Sequence, residues 1–119
     1  MAEPFVTIHC EPCEDCVRQE WQTVEHGRLR WYTGEYCPRY AVQACGRGWG
    51  VPPDHVRDRI VEREGTVRVP IGGPDGVPLK AAREILGLTI AELNRVRVHG
   101  YEATPVEAAL LESRRTPGA

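Results

Sequence analysis

The chain has one lysine, one phenylalanine, one methionine and one serine among its 119 residues. It also lacks any apolar run approaching the roughly 18–20 residues that a membrane-crossing helix requires, so no span through a bilayer is expected. The opening segment, MAEPFVTIHC, has no basic start ahead of an apolar stretch. It does not read as a secretory signal peptide, and a cytoplasmic location is expected. Charge of one sign is missing too: 15 Lys and Arg oppose 17 Asp and Glu, the net charge is −2 and the isoelectric point lies near 6.1. Such a balance gives no global attraction to phosphate and disfavours a strongly basic nucleic-acid binder. Ser113 lies near the end of the chain with no nucleophile motif around it, and His26, His55 and His99 belong to no catalytic pattern. These absences point away from an enzyme.

What is present is unevenly placed. Hydrophobic residues make up 41% of the chain, which is enough for a core and excludes full disorder. The basic side chains are 14 Arg and Lys80 alone, a bias typical of a GC-rich bacterial coding sequence. All five cysteines (Cys10, Cys13, Cys16, Cys37 and Cys45) and all three tryptophans (Trp21, Trp31 and Trp49) fall within the first 50 residues. That half carries five Arg against seven acids, whereas residues 51–119 balance ten basic against ten acidic groups. Two modules are therefore expected: a cysteine-rich, β-rich module with a following helix over 1–65, and an α+β module over 66–119.

Local patterns support this division. Val17, Trp21 and Val24 fit one face of a short helix, with a strand as the competing reading. Leu29 and Trp31 predict a strand closed by a turn at Gly34, and Tyr40–Cys45 a second β run ended by Gly46, Gly48 and Gly50. Pro52-Pro53-Asp54 reads as a helix start, with Val56, Ile60 and Val61 facing inward and Gly65 ending the helix. Val67, Val69 and Ile71 alternate as a strand, and Gly72–Gly76 reads as a loop. Leu79, Ala82, Ile85 and Leu86 form a helical stripe that stops at Gly87. Thr89 with Glu92, and Thr104 with Glu107, have the spacing of capping boxes, in which hydroxyl and carboxylate satisfy two exposed backbone N–H groups. The first opens a short helix bearing Ile90, Leu93 and Val96, followed by a strand candidate over Val96, Val98 and Tyr101. The second opens a helix with Val106, Ala109 and Leu110 facing inward.

Clustered cysteines in a reducing compartment bind metal or do redox chemistry more often than they form bridges. A structural zinc needs four ligands in a tetrahedron, commonly thiolates supplied by two turns. Cys10-x2-Cys13 is one pair. Cys37-Pro38 and Cys45-Gly46 carry the Pro and Gly landmarks of a Cys-Pro-x-Cys-Gly return pair, with seven residues between the cysteines in place of two. In this respect the N-terminal half resembles a zinc ribbon. The expected ligands are Cys10, Cys13, Cys37 and Cys45, with Cys16 as the alternative. A four-thiolate shell is closed, so such zinc would be structural. Reduced buried thiols, an iron–sulfur cluster and disulfides are the competing readings.

Cys45-Gly46-Arg47-Gly48-Trp49-Gly50 matches neither a dinucleotide-binding fingerprint nor a P-loop. Arg47 and Trp49 on an exposed turn would make a contact point for a protein, because both types are enriched at interface hot spots. Arg28, Arg30 and Arg39, interleaved with Trp31, Tyr32, Tyr36 and Tyr40, could stack single-stranded nucleic acid, although the acids nearby weaken that field.

In the second half, Lys80-Ala-Ala-Arg83-Glu84-Ile85-Leu-Gly87-Leu88-Thr-Ile-Ala-Glu92 resembles the C-terminal domain of the bacterial ribosomal stalk protein. The shared features are Lys, two apolar residues, Arg, a helix ending at Gly-Leu, and an acid-bearing second helix; the order strand, helix, short helix, strand, helix agrees as well. The chain departs from that family at Thr89, Ala91 and Asn94, where it has glycine and two lysines, and it lacks the family's last strand. The resemblance implies a compact α+β fold used for docking proteins, with Lys80 and Arg83 on the contact face. Together these readings predict a non-enzymatic, zinc-stabilised adaptor that docks a protein through Trp31, Arg47, Trp49, Lys80 and Arg83. The alternatives are a thiol or metal redox sensor and an RNA-contacting factor of transcription or translation.

Overall fold

The computed structural model describes residues 16–38 and 42–115. The fold is α+β. Strands β1 (Val17–Glu25), β2 (Arg28–Cys37) and β3 (Val42–Trp49) form an antiparallel sheet in that order, and helix α1 (Asp54–Glu64) follows. Strand β4 (Val67–Val69), helices α2 (Leu79–Leu86) and α3 (Ile90–His99), strand β5 (Tyr101–Ala103) and helix α4 (Pro105–Ser113) complete the chain, with β4 and β5 paired antiparallel. No helix among the described residues is long and apolar enough to cross a membrane.

Residues 17–25 take the strand alternative. The connection to β2 is a two-residue turn in which His26 and Gly27 both have positive φ, 56° and 72°. Two consecutive positive φ values give a tight hairpin the twist that flanking strands need. The register then runs unbroken from Glu25↔Arg28 to Val17↔Tyr36. The turn expected at Gly34 is absent, because Gly34 pairs with both Gln19 and Cys45 in the middle of the central strand. Nor do Gly46 and Gly48 end β3. A Cβ on Gly48 would lie 2.6 Å from the Trp31 ring, so the ring lies over bare backbone there. A bulky neighbour replaces the side-chain packing that a strand glycine lacks.

The second half follows the order its sequence predicts, with two boundaries moved. Strand β4 ends at Val69, leaving Ile71 in an isolated bridge to Val77. Residues 96–99 continue α3 rather than starting a strand, so β5 holds only Tyr101–Ala103. Both capping boxes form: the Thr89 and Thr104 hydroxyls accept from the amides of Glu92 and Glu107, whose carboxylates return to the cap N–H groups. Gly87 ends α2 in the left-handed conformation, at φ 65°. In α4 the inward positions are Glu107, Leu110 and Leu111, while Ala109 is exposed.

One hydrophobic cluster gathers Val69, Ile71, Val77, Ala82, Ile85, Leu86, Leu110 and Leu111 with Leu29 of β2. The core thus joins a side chain that precedes residue 65 to others that follow it. Helix α1 contacts both the sheet and α4. From this helix Arg59 and Arg63 reach Glu20 of β1 at 3.7 and 3.6 Å, while Arg57 reaches Glu107 of α4 at 2.7 Å.

Glu107 is fully buried, and its carboxylate is saturated with donors. Gln22 Nε2 donates at 2.9 Å, Arg57 Nε and Nη2 at 3.1 and 2.7 Å, the Thr104 amide at 3.0 Å and the Tyr101 hydroxyl at 3.2 Å. Thr104 Oγ1 donates in turn to Gln22 Oε1 at 2.6 Å. Burial alone would raise the Glu107 pKa, but the Arg57 guanidinium and the Thr104 and Gln22 hydrogen bonds outweigh it and hold the group below its ordinary range. Burial also pushes the Tyr101 phenol upward, so it remains a donor.

A buried ion pair that loses one member leaves the other uncompensated. We expect Glu107→Ala to cost about 3 kcal/mol in urea unfolding, with Arg57 then half-buried beside nothing anionic. A loss under about 0.5 kcal/mol, the scale of an ordinary surface substitution, would contradict this role. Because the folded-state pKa is lowered, the carboxylate's stabilisation is complete above the ordinary value of 4.5 and is lost as pH falls below it. Acid titration of stability should therefore be shallower in Glu107→Gln than in the natural chain.

Candidate binding face on the three-stranded sheet

Side chains alternate across a sheet, and directly paired residues share a face. The register therefore sorts the three strands into two surfaces. One face carries Glu20, Gln22, Leu29 and Trp31 and packs on α1, α4 and the core. The other carries Val17, Trp21, Thr23 and Glu25 of β1, Arg28, Arg30, Tyr32 and Tyr36 of β2, and Cys45, Arg47 and Trp49 of β3. No described element covers this second face: Val17, Trp21, Tyr36 and Trp49 are 51%, 39%, 46% and 41% exposed. An antiparallel sheet usually turns polar residues to water, so contiguous exposed aromatics mark a contact surface.

The aromatic and cationic groups are organised among themselves. Trp21 and Tyr32, on one rung, stack with centroids 5.4 Å apart and planes 17° from parallel. The Arg28 and Arg30 guanidiniums lie over the Trp49 ring at 4.5 and 4.2 Å, and Arg30 also lies 5.5 Å from the Tyr32 centroid. Each such contact is worth about 0.5–1 kcal/mol at an exposed site, enough to hold a side chain in place without consuming its hydrogen-bonding edge. Arg30 Nε is buried with no hydrogen-bond partner among the described residues. Among the described residues of this face, three arginines (Arg28, Arg30 and Arg47) face one carboxylate, Glu25. That carboxylate is engaged: Tyr32 Oη donates to it at 2.6 Å and Thr23 Oγ1 at 2.9 Å. The Tyr32 bond is the largest of the influences that lower its pKa, followed by the Thr23 bond and the nearby Arg30 and His26 charges.

The residues expected from sequence fall in different places. Arg47 and Trp49 are on the exposed face. Trp31 is on the opposite face, half-buried over Gly46 and Gly48, where it acts as packing rather than as a contact residue. Lys80 and Arg83 are exposed on α2, outside the sheet. Cys10 and Cys13 lie outside the described residues, as do Arg39 and Tyr40. Cys37 is 3% exposed and shares a face with Trp31, whereas Cys45 pairs with Gly34, is exposed, and belongs to the Trp49 face. The sheet does not bring Cys37 and Cys45 together: they sit three rungs apart on opposite sides. Among the described residues no group of three or more His, Cys, Asp or Glu is placed to hold a metal ion. Trp21 belongs to neither contact reading of the sequence, and Arg28 and Arg30 only to the nucleic-acid one. The alternation Arg28, Arg30, Tyr32 carries the signal, once the segment is known to run straight through Gly34.

Compared with family profiles, curated proteins and solved structures, the chain matches none.

The Glu25–Tyr32 bond gives a direct check on this arrangement. Tyr32→Phe removes the largest influence lowering the Glu25 carboxyl, so its titration, followed by carbon-detected NMR, should move up toward 4.5. An unchanged titration would mean that the Tyr32 hydroxyl does not hold Glu25.

Proposed function

We propose that the chain is a non-enzymatic docking module which receives an acidic segment of a protein partner on the exposed face of its three-stranded sheet. The observation that supports this reading is the ordered set of Trp21, Arg30, Tyr32, Arg47 and Trp49, which no other described element covers. Charge complementarity selects the occupant. Among the described residues of the face, three guanidiniums stand against one carboxylate that already accepts two hydrogen bonds. Carboxylates of a partner would meet guanidiniums preset by their contacts with Trp49, and Arg–carboxylate bonds are strong when charge-assisted and bidentate. A nucleic acid is less favoured, because the Trp49 ring on which a base would stack is already engaged by Arg28 and Arg30.

In the same reading the module is cytoplasmic and takes structural zinc on thiolates from its cysteine-rich half. The Cys10-x2-Cys13 spacing supports this, as does the small apolar content of that half.

The test uses the full chain and a labelled peptide of alternating glutamate and glycine, with oligo(U) of similar length as the competing probe. The peptide should bind and shift tryptophan emission, and Arg30→Ala combined with Arg47→Ala should weaken binding by about tenfold or more, each lost charged contact being worth about 1.5–3 kcal/mol before compensation. Binding of oligo(U) but not the peptide, with a steep salt dependence, would overturn the protein-docking reading in favour of nucleic acid.

A further inference from the structure

The β1–β2 ladder holds nine consecutive rungs, from Glu25↔Arg28 to Val17↔Tyr36. Cys16 immediately precedes Val17, and Cys37 immediately follows Tyr36 as the last residue of β2. Carried one step further, the register sets Cys16 directly opposite Cys37. By alternation both side chains then belong to the face of Gln22 and Trp31, where Cys37 is 3% exposed and Cys16 half-buried. Cys45 is on the other side of the sheet, at the rung of Gly34.

Directly opposed residues of an antiparallel pair have Cα atoms about 4.5–5.5 Å apart and Cβ atoms at a similar spacing. Two thiolates on a tetrahedral zinc, each about 2.3 Å from the metal, have sulfur atoms about 3.8 Å apart. Cβ atoms on one rung reach that sulfur spacing with ordinary side-chain rotation and no backbone movement. A pair drawn from opposite faces, such as Cys37 with Cys45, cannot reach it without breaking the β2–β3 ladder.

We propose that Cys16 and Cys37 form a cross-strand thiolate pair that ligates a soft divalent cation of the zinc class, and that Cys45 is not a ligand. This rests on the zinc part of the function proposed above and changes its ligand set. Thiolates ligate only when deprotonated, so metal binding at the pair releases its protons to solvent. The site also has a mechanical consequence. It would clamp the open end of the β1–β2 hairpin, opposite the His26-Gly27 turn, and so hold the exposed face flat along its length.

The experiment compares zinc content and thiol reactivity in the full chain purified without chelator. About one zinc per chain is expected in the natural sequence and in Cys45→Ser, and little in Cys16→Ser. Cobalt substitution should give a thiolate-to-metal charge-transfer band that Cys45→Ser leaves unchanged and Cys16→Ser weakens. Because a serine at buried Cys37 could prevent folding, that position is read in the natural chain by alkylation and peptide mass spectrometry. With metal bound, Cys45 should alkylate quickly while Cys16 and Cys37 are protected, and chelator should release Cys16. Loss of zinc in Cys45→Ser, or full zinc in Cys16→Ser, would overturn the pair while leaving the zinc reading intact. A natural chain that neither retains nor takes up zinc or cobalt would overturn both. Purified protein lacking two hydrogen masses, with Cys16 and Cys37 in one linked peptide, would replace the metal pair by a disulfide.

Discussion

The buried Glu107 carboxylate is the constraint on which the arrangement of this protein depends. It belongs to a capping box at the start of α4, yet it also accepts from Gln22 on β1 and from Arg57 on α1. A carboxylate with no exposure loses several kcal/mol of hydration, which only a full set of donors offsets. The donors come from four separate elements or their junctions, so all four must be in register before the charge is satisfied. Nonpolar packing sets no such condition on position. The Leu29 side chain would accept small shifts of the sheet over the helices, whereas the Gln22 amide, bonded to both Glu107 and Thr104, would not.

That constraint decides which face of the sheet is available. Once Gln22 is held against α4 and Glu20 against Arg59 and Arg63, alternation turns Trp21, Thr23, Arg30, Tyr32 and Trp49 away from the body of the protein. The same polar contacts that join the sheet to the helices therefore present the aromatic and arginine side chains to solvent. Within that face, the guanidinium–ring contacts limit how far Arg28 and Arg30 can roam, which lowers the entropy cost of their ordering on binding.

The sequence was legible where the chemistry is local. Both capping boxes, the glycine stop at Gly87 and the proline-led start of α1 involve groups within about four residues of one another, and each forms as its pattern predicts. It was misleading where the deciding partner is distant. Gly34, Gly46 and Gly48 look like breaks, but cross-strand pairing carries Gly34, the Thr33 side chain lies against Gly46 and the Trp31 ring covers Gly48. Val96 and Val98 alternate like a strand, yet the capping box at Thr89 had already started a helix that runs past them. Trp31 reads as a contact residue until the register shows its parity to be that of Gln22. Glu107 was legible as a cap but not as a staple, since nothing near it in sequence announces Gln22 or Arg57.

The central claim is that the exposed sheet face, and not the α2 surface bearing Lys80 and Arg83, receives the partner. Amide and indole shift mapping by two-dimensional NMR during titration with an acidic peptide tests it most directly. The account predicts that the Trp21 and Trp49 indoles and the amides of Arg30, Tyr32 and Arg47 move together while the Trp31 indole and the α2 amides stay in place. Shifts concentrated on α2, with the sheet unmoved, would contradict it.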